Sequence, residues 1–191
     1  MAVNTPVCSS DEAEIEEAVT RIQEGGVVAH ACEGVWGLAC DPYDESAVQR
    51  VLDIKNRDVA KGLLVIGGTV GAFEEELCRL PTKQRKIVES SWPGASSWIV
   101  VTDRYPSWIT GDKGSVGIRV PGHCQARVLA AGFGRAIVST SANRSGQPSL
   151  TDYTSVIREF GEFVDFVLPG KTAGKTGPSM IRIAETGEQV R

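Results

Sequence analysis

Lys55, Arg57 and Lys61 fall within seven positions, in IKNRDVAKG, with one acid, Asp58, among them. The apolar run GLLVIGG follows at once and reads as a buried strand. Positive charge at the mouth of a strand, in a chain of net charge −4, has two readings. One is a solvated charge run at a helix C-terminus, where cations suit the dipole. The other is a cleft that gathers an anion. Spacing bears on the choice. Residues two apart point to opposite sides of a helix but share a face in extended backbone. Lys55 and Arg57 can therefore share a target if the helix ends near Lys55 and the chain leaves it extended.

Two other stretches bear on the anion reading. STSANRSG, Ser139 to Gly146, follows the apolar strand AIV and offers hydroxyl, amide and backbone N–H donors. A polar surface turn is the competing reading. In GSVGIRVPG, Arg119 sits between Ile118 and Val120 and points to the face opposite both, either solvent or a cleft. GKTAGKTG, Gly170 to Gly177, is not a P-loop. Gly170 is one residue too close to Gly174-Lys175-Thr176, and a strand follows where a helix is needed. It reads instead as a Gly/Lys loop over the site. His30 and Cys32 share a strand face, but no further ligand pair accompanies them, so no metal site is assigned.

The elements that must place these residues mix helix and strand throughout. Ser9 and Glu12 suit a capping box for a helix with Ile15, Ala18, Val19 and Ile22 buried and Gly25-Gly26 at its end. Val27 to Ala31 is a strand. Asp44 caps a second helix, with Val48, Val51 and Leu52 on one face. Further helices are predicted over Val70 to Leu80, Thr82 to Ser90, Cys124 to Ala131 (ending at Gly132) and Asp152 to Phe160. Strands are predicted over Gly62 to Ile66, Trp98 to Thr102, Val116 to Val120, Arg135 to Ser139 and Val164 to Leu168. A hairpin joins Met180 to Ile183 with Glu188 to Arg191. The 191 residues suit a single α+β domain, residues 1–191, with one twisted mixed sheet and flanking helices in an α/β-like three-layer arrangement.

Composition narrows the function. Hydrophobic content of 41% and charged content of 23% are ordinary globular values. A pI of about 5.3 argues against coating nucleic acid by global charge. Five cysteines without a C-x-x-C spacing suit a reduced, cytoplasmic chain. No signal peptide and no membrane-length apolar run are visible.

The order of several motifs resembles the YrdC/TsaC family of threonylcarbamoyl-AMP synthases, in its single-domain bacterial form. The matching stretches are GGVVAHACEGVWGLACDP, AVQRVLDIKNRDVAKGLLVI, WPGASSWIVV, VGIRVPGH, VSTSANRSG and PSMIRIAETGEQVR, spanning about Val19 to Arg191. The resemblance implies a YrdC-type fold around a deep concave cleft. It implies a nucleotidyltransferase that joins L-threonine, bicarbonate and ATP, with Mg²⁺ arriving on the nucleotide, into threonylcarbamoyl-AMP and pyrophosphate. Partner proteins would then transfer the threonylcarbamoyl group to the adenosine 3′ of the anticodon in tRNAs reading codons that begin with A. The family's K-x-R falls on Lys55 and Arg57, the implied catalytic pair. Its next lysine falls on Lys61, and its S-x-N on Ser141 and Asn143 with Ser139 just before. These six form the implied ATP site. Cys32, Arg119 and Ser179 fall on the implied threonine site.

The chain departs from the family's pattern at two places. His30-Ala31-Cys32-Glu33 stands where Tyr/Phe-Pro-Thr-Glu is usual, and Met180 replaces a threonine. A thiol at Cys32 is a weaker donor than a hydroxyl. The chemistry agrees with the residues: a carbamate and a triphosphate are both anionic, so joining them needs clustered cations. A double-stranded RNA or tRNA-binding module using the same cleft is the alternative, with weak binding. It lacks an aromatic stacking platform of the RNP kind. A related carbamoyl-adenylate domain of larger hydrogenase-maturation proteins is a third reading.

Overall fold

The computed structural model describes residues 11–190. The first helix, α1 (Glu12–Gln23), is capped by Asp11, whose carboxylate accepts from Ala13 N at 3.0 Å. Ser9 of the expected capping box lies outside the described residues. Ile15, Ala18, Val19 and Ile22 are buried, as their period requires.

The expected single sheet is two sheets. The first runs β7-β2-β1-β8, built from β1 (Val28–Ala31), β2 (Trp36–Ala39), β7 (Thr140–Ser141) and β8 (Phe166–Val167). β1 pairs antiparallel with β2 and parallel with β8, and β2 pairs antiparallel with β7. The second runs β6-β3-β5-β4-β9, from β3 (Leu64–Ile66), β4 (Ser96–Val101), β5 (Ser115–Arg119), β6 (Ile137–Val138) and β9 (Met180–Ile183). Here β3–β5 and β4–β9 are parallel, and β3–β6 and β4–β5 antiparallel.

The division falls at the end of the run expected as one strand, Arg135 to Ser139. Val138 still pairs with Val65 of β3, while Thr140 pairs with Leu38 of β2. Ser139 lies at the crossing, its N–H donating to Leu64 O at 2.9 Å. The chain thus passes from one sheet to the other within three residues. One buried cluster includes Ala29 and Leu38 of the first sheet with Val65, Trp98 and Ile118 of the second, so a shared core joins them.

Asp44 caps α2 (Glu45–Lys55), accepting from Ala47 N at 3.0 Å. The stretch Val70 to Leu80 is a short 3₁₀ turn and then α3 (Glu74–Leu77). α4 (Thr82–Ser90) falls as predicted, and α5 (Ser107–Thr110) carries no clear sequence signal. α6 (Cys124–Phe133) runs past Gly132 and stops at Gly134, whose φ is +86°. Gly132 is a packing residue, since a Cβ there would stand 3.0 Å from Val19 Cγ2 of α1. α7 (Tyr153–Phe160) is capped by Asp152. The terminal hairpin is present: Ile183 N donates to Glu188 O and Val190 N to Ile181 O, both at 2.8 Å.

Candidate active site

A cavity of about 230 Å³ lies between the two sheets. Trp36, Gly37, Thr140 and Ser141 come to it from the first sheet, and Leu64, Ile99, Gly117 and Arg119 from the second. Four cations line it: Arg57, Lys61, Lys113 and Arg119. Cys32, Ser139, Ser141 and Ser179 line it too. Of the residues singled out by sequence, these seven meet: Cys32, Arg57, Lys61, Arg119, Ser139, Ser141 and Ser179.

The cations reach the cavity by a route the sequence reading did not foresee. The chain does not leave α2 extended. Asn56 adopts the left-handed conformation, φ 48° and ψ 53°, and Arg57 N donates back to Leu52 O at 2.9 Å. This is a helix-ending turn of the kind glycine or asparagine favours. A 3₁₀ turn, 59–61, follows, capped by Asp58. Arg57 is half-buried and lines the cavity; its Nε and Nη2 donate to Gly62 O at 3.2 and 2.9 Å.

Lys55 is used differently. It is buried, and its ammonium donates to Ser141 O, to Asn143 O at 3.0 Å and to Asn143 Oδ1 at 3.1 Å. Burial lowers its pKa to about 8, with Arg57 adding to the effect. Lys55 therefore braces the Ser-x-Asn loop. Asn143 is a brace as well: its Oδ1 accepts from Ser141 Oγ at 2.7 Å, and its Nδ2 donates to Gln147 O at 2.8 Å and Arg144 O at 3.0 Å.

At the end of β1, Cys32 Sγ donates to Glu33 Oε2 at 2.9 Å. Burial, opposed by Arg119 and aided by Glu33, pushes the Cys32 thiol up to about 12, so it stays protonated. Glu33 and Arg119 form a buried ion pair. Burial alone would raise the Glu33 carboxyl, but the guanidinium and the Cys32 bond hold it below its usual value. Gly122 N donates to Glu33 Oε1 at 2.6 Å, and Arg119 Nε donates to Gly94 O at 2.8 Å. Three segments, at Glu33, Gly94 and 119–122, are thus tied to one charge pair.

The Gly/Lys loop crosses this knot. Lys175 N donates to Glu33 O at 3.1 Å, and a Cβ on Gly34 would fall 2.2 Å from Gly177 O. Only glycine permits that approach. Beyond it Ser179 Oγ lies 2.9 Å from Ser97 Oγ.

Sequence reasoning missed Lys113 and the partners of Arg119. Lys113 stands in a turn, GDKG, where a cation usually means solvent. Glu33 is inside the stretch GGVVAHACEGVWGLACDP, yet its partner is 86 positions away in sequence and no local pattern pairs them.

The family model Sua5/YciO/YrdC, described as "Telomere recombination", matches residues 20–191. A threonylcarbamoyl-AMP synthase of Nitrosococcus oceani is 38% identical over 171 residues, 89% of this chain and 92% of that protein. One from Alkalilimnicola ehrlichii is 42% identical over 182 residues, 93% of this chain and 94% of that protein. The crystal structure of P. abyssi Sua5 complexed with L-threonine superposes with a TM-score of 0.83 at 28% identity. It covers 90% of this chain, which spans 51% of that one.

Proposed function

The chain belongs to the Sua5/YciO/YrdC family, and we propose that it forms threonylcarbamoyl-AMP from L-threonine, bicarbonate and ATP. The observation that carries this reading is the cavity: four cations converge there in a chain of net charge −4. The names of its relatives and the threonine-bound neighbour support it.

Threonine and bicarbonate condense, with loss of water, to an N-carboxylate. A carboxylate oxygen of that carbamate attacks the α-phosphorus of ATP, the bond to the β-phosphate breaks, and pyrophosphate leaves. Both reactants are anions, so bringing them together is costly in water. Arg57 and Lys61 would hold the triphosphate and meet charge that builds on the departing pyrophosphate. Arg57 is set for this by its bonds to Gly62 O, which fix the guanidinium. Lys55 and Asn143 would act by holding Ser141 in place. Cys32, Arg119 and Ser179 would form the amino-acid side. There Arg119, paired with Glu33 but lining the cavity, can still meet a carboxylate. When Mg²⁺ is bound with ATP, what it supplies is neutralisation of phosphate charge. The cation-lined cavity suits a site where that ion rides on the triphosphate.

Transfer proteins would carry the product to tRNA. The RNA-module alternative fits less well, because an A-form duplex cannot enter an inter-sheet cavity of about 230 Å³. Among the described residues, no helix is long and apolar enough to cross a membrane. The test is pyrophosphate release from ATP by the purified chain. Release should require both threonine and bicarbonate; release indifferent to threonine would refute the proposal.

A further inference from the structure

His30 is buried on β1 and has two partners. Its Nδ1 lies 3.1 Å from Ala31 O, and its Nε2 lies 3.1 Å from Ser139 Oγ. A carbonyl oxygen can only accept, so Nδ1 carries the proton. Burial is the largest influence on the ring and brings its pKa to about 4. The Ala31 carbonyl and Glu33 push the other way, and His123 and Arg119 add to the lowering. The ring is therefore neutral near pH 7, and Nε2 is a bare lone pair. The Ser139 hydroxyl must donate to it.

Ser139 lines the cavity, and its proton is already committed inward. Only its lone pairs face the substrates. Gly37 leaves room for the bond: a Cβ there would stand 3.0 Å from Nε2 and 3.2 Å from Ser139 Oγ. Ser141 shows the same polarity independently. Asn143 Nδ2 donates to two carbonyls, which fixes Oδ1 as the acceptor of the Ser141 proton.

We propose that His30 is a positioning residue that makes Ser139 an acceptor toward the substrates, so that the group seated on Ser139 is an amine, an amide N–H or a hydroxyl, and not a phosphate or carboxylate oxygen. An anion at Ser139 would have to take its proton and leave a buried ring nitrogen unpaired, at a loss of about tenfold or more in affinity. The anions are left to Arg57, Lys61, Lys113 and Arg119, which only donate. The identity of the substrates rests on the reaction proposed above; the direction of the hydrogen bond does not.

The test has two arms. In the first, ¹⁵N spectra of the full chain should show His30 neutral with the proton on Nδ1 at pH 7. A proton on Nε2, or an imidazolium, would overturn the proposal. In the second, KM for threonine and for ATP, and inhibition by and calorimetric binding of inorganic tripolyphosphate, are measured for His30→Phe, Ser139→Ala, the double variant and His30→Gln. His30→Phe and Ser139→Ala should each raise the KM of the same single substrate by about two- to tenfold, the worth of one neutral hydrogen bond. The double variant should be no worse than Ser139→Ala. Glutamine, whose Oε1 can replace Nε2 as acceptor, should keep the KM near that of the parent. Inhibition by tripolyphosphate should be the same with and without the Ser139 hydroxyl. Weaker inhibition of Ser139→Ala, or KM values unmoved for both substrates, would overturn the proposal. If the parent chain releases no threonine-dependent pyrophosphate, the proposed reaction fails, while the spectra and tripolyphosphate binding still decide this inference.

Discussion

Lys55→Met removes one ammonium and keeps most of the apolar stem. The side chain is 3% exposed, and its Nζ serves Ser141 O, Asn143 O and Asn143 Oδ1. Asn143 Oδ1 keeps a donor, Ser141 Oγ, and Ser141 O keeps the Asn143 N–H at 3.0 Å, but Asn143 O loses the lysine. Hydrogen bonds from a charged donor are worth about 1.5–3 kcal/mol each, and an orphaned buried acceptor costs about 1–3 kcal/mol. Against this, the variant no longer buries a charge, a cost visible in the lowered pKa of Lys55. The loop is half-buried, so water recovers part of the loss. The net expectation is a loss of about 2–4 kcal/mol, within the ~5–15 kcal/mol of an ordinary domain, so the variant folds. Its unfolding midpoint in urea should fall. Threonine-dependent pyrophosphate release should fall by about 10²-fold, because Ser141 is no longer held and a displacement near 1 Å is enough for that. The informative result is the pair of measurements. An unchanged midpoint with lost activity would mean that Lys55 serves a reactant directly and that its loop bonds are incidental. An unchanged midpoint with normal activity would refute both roles.

Arg57→Ala should keep the fold and lower pyrophosphate release by about 10²–10³-fold, the worth of one strong transition-state donor; near-normal release from a folded variant would remove Arg57 from the site. Cys32→Thr places a hydroxyl where the thiol donates to Glu33 Oε2. It should lower the KM for threonine about two- to tenfold and leave that for ATP unchanged, whereas a lower melting temperature with an unchanged threonine KM would mark Cys32 as a packing residue only. His30 binds its proton near pH 4 folded and near 6.5 unfolded, so the unfolded chain holds more protons between those values and stability rises with pH across them. That difference corresponds to about 3 kcal/mol lost from pH 7 to pH 4, and urea unfolding of His30→Gln should show that much less acid sensitivity. RNA binding, if measured by salt titration, should be weak and fall steeply with salt; tight binding flat with salt would contradict a local basic cleft.

Much of the site was legible because its residues are punctuation. Asp44 marks a helix start by capping chemistry that needs no tertiary partner. Arg57, Lys61, Ser139 and Ser141 stand at element ends, where side chains are free to converge. The two-sheet division was not legible. Its decisive strands, β6 and β7, are two residues each, too short for a period to register. Gly132 misled for a related reason. A glycine near a helix end reads as a cap, and only the approach of Val19 shows it to be a contact.

The pair Lys55 and Arg57 shows where pattern stops and geometry begins. Their shared charge and spacing suggested one target in extended backbone. The structure places a left-handed Asn56 between them, and that single residue separates their tasks. Lys55, on the last turn of α2, is driven into the fold, where only carbonyls can accept its charge. Arg57, past the turn, is swung onto the cavity wall and locked by Gly62 O. The same cause makes both sites: a chain that crosses between sheets at Ser139 leaves a gap between the sheets and a loop beyond it. The gap collects Arg57 and Lys61, and the loop needs an internal donor, which Lys55 supplies. Charge clustered at the mouth of a strand is therefore neither simply solvated nor simply catalytic; one cation holds the wall that the others face.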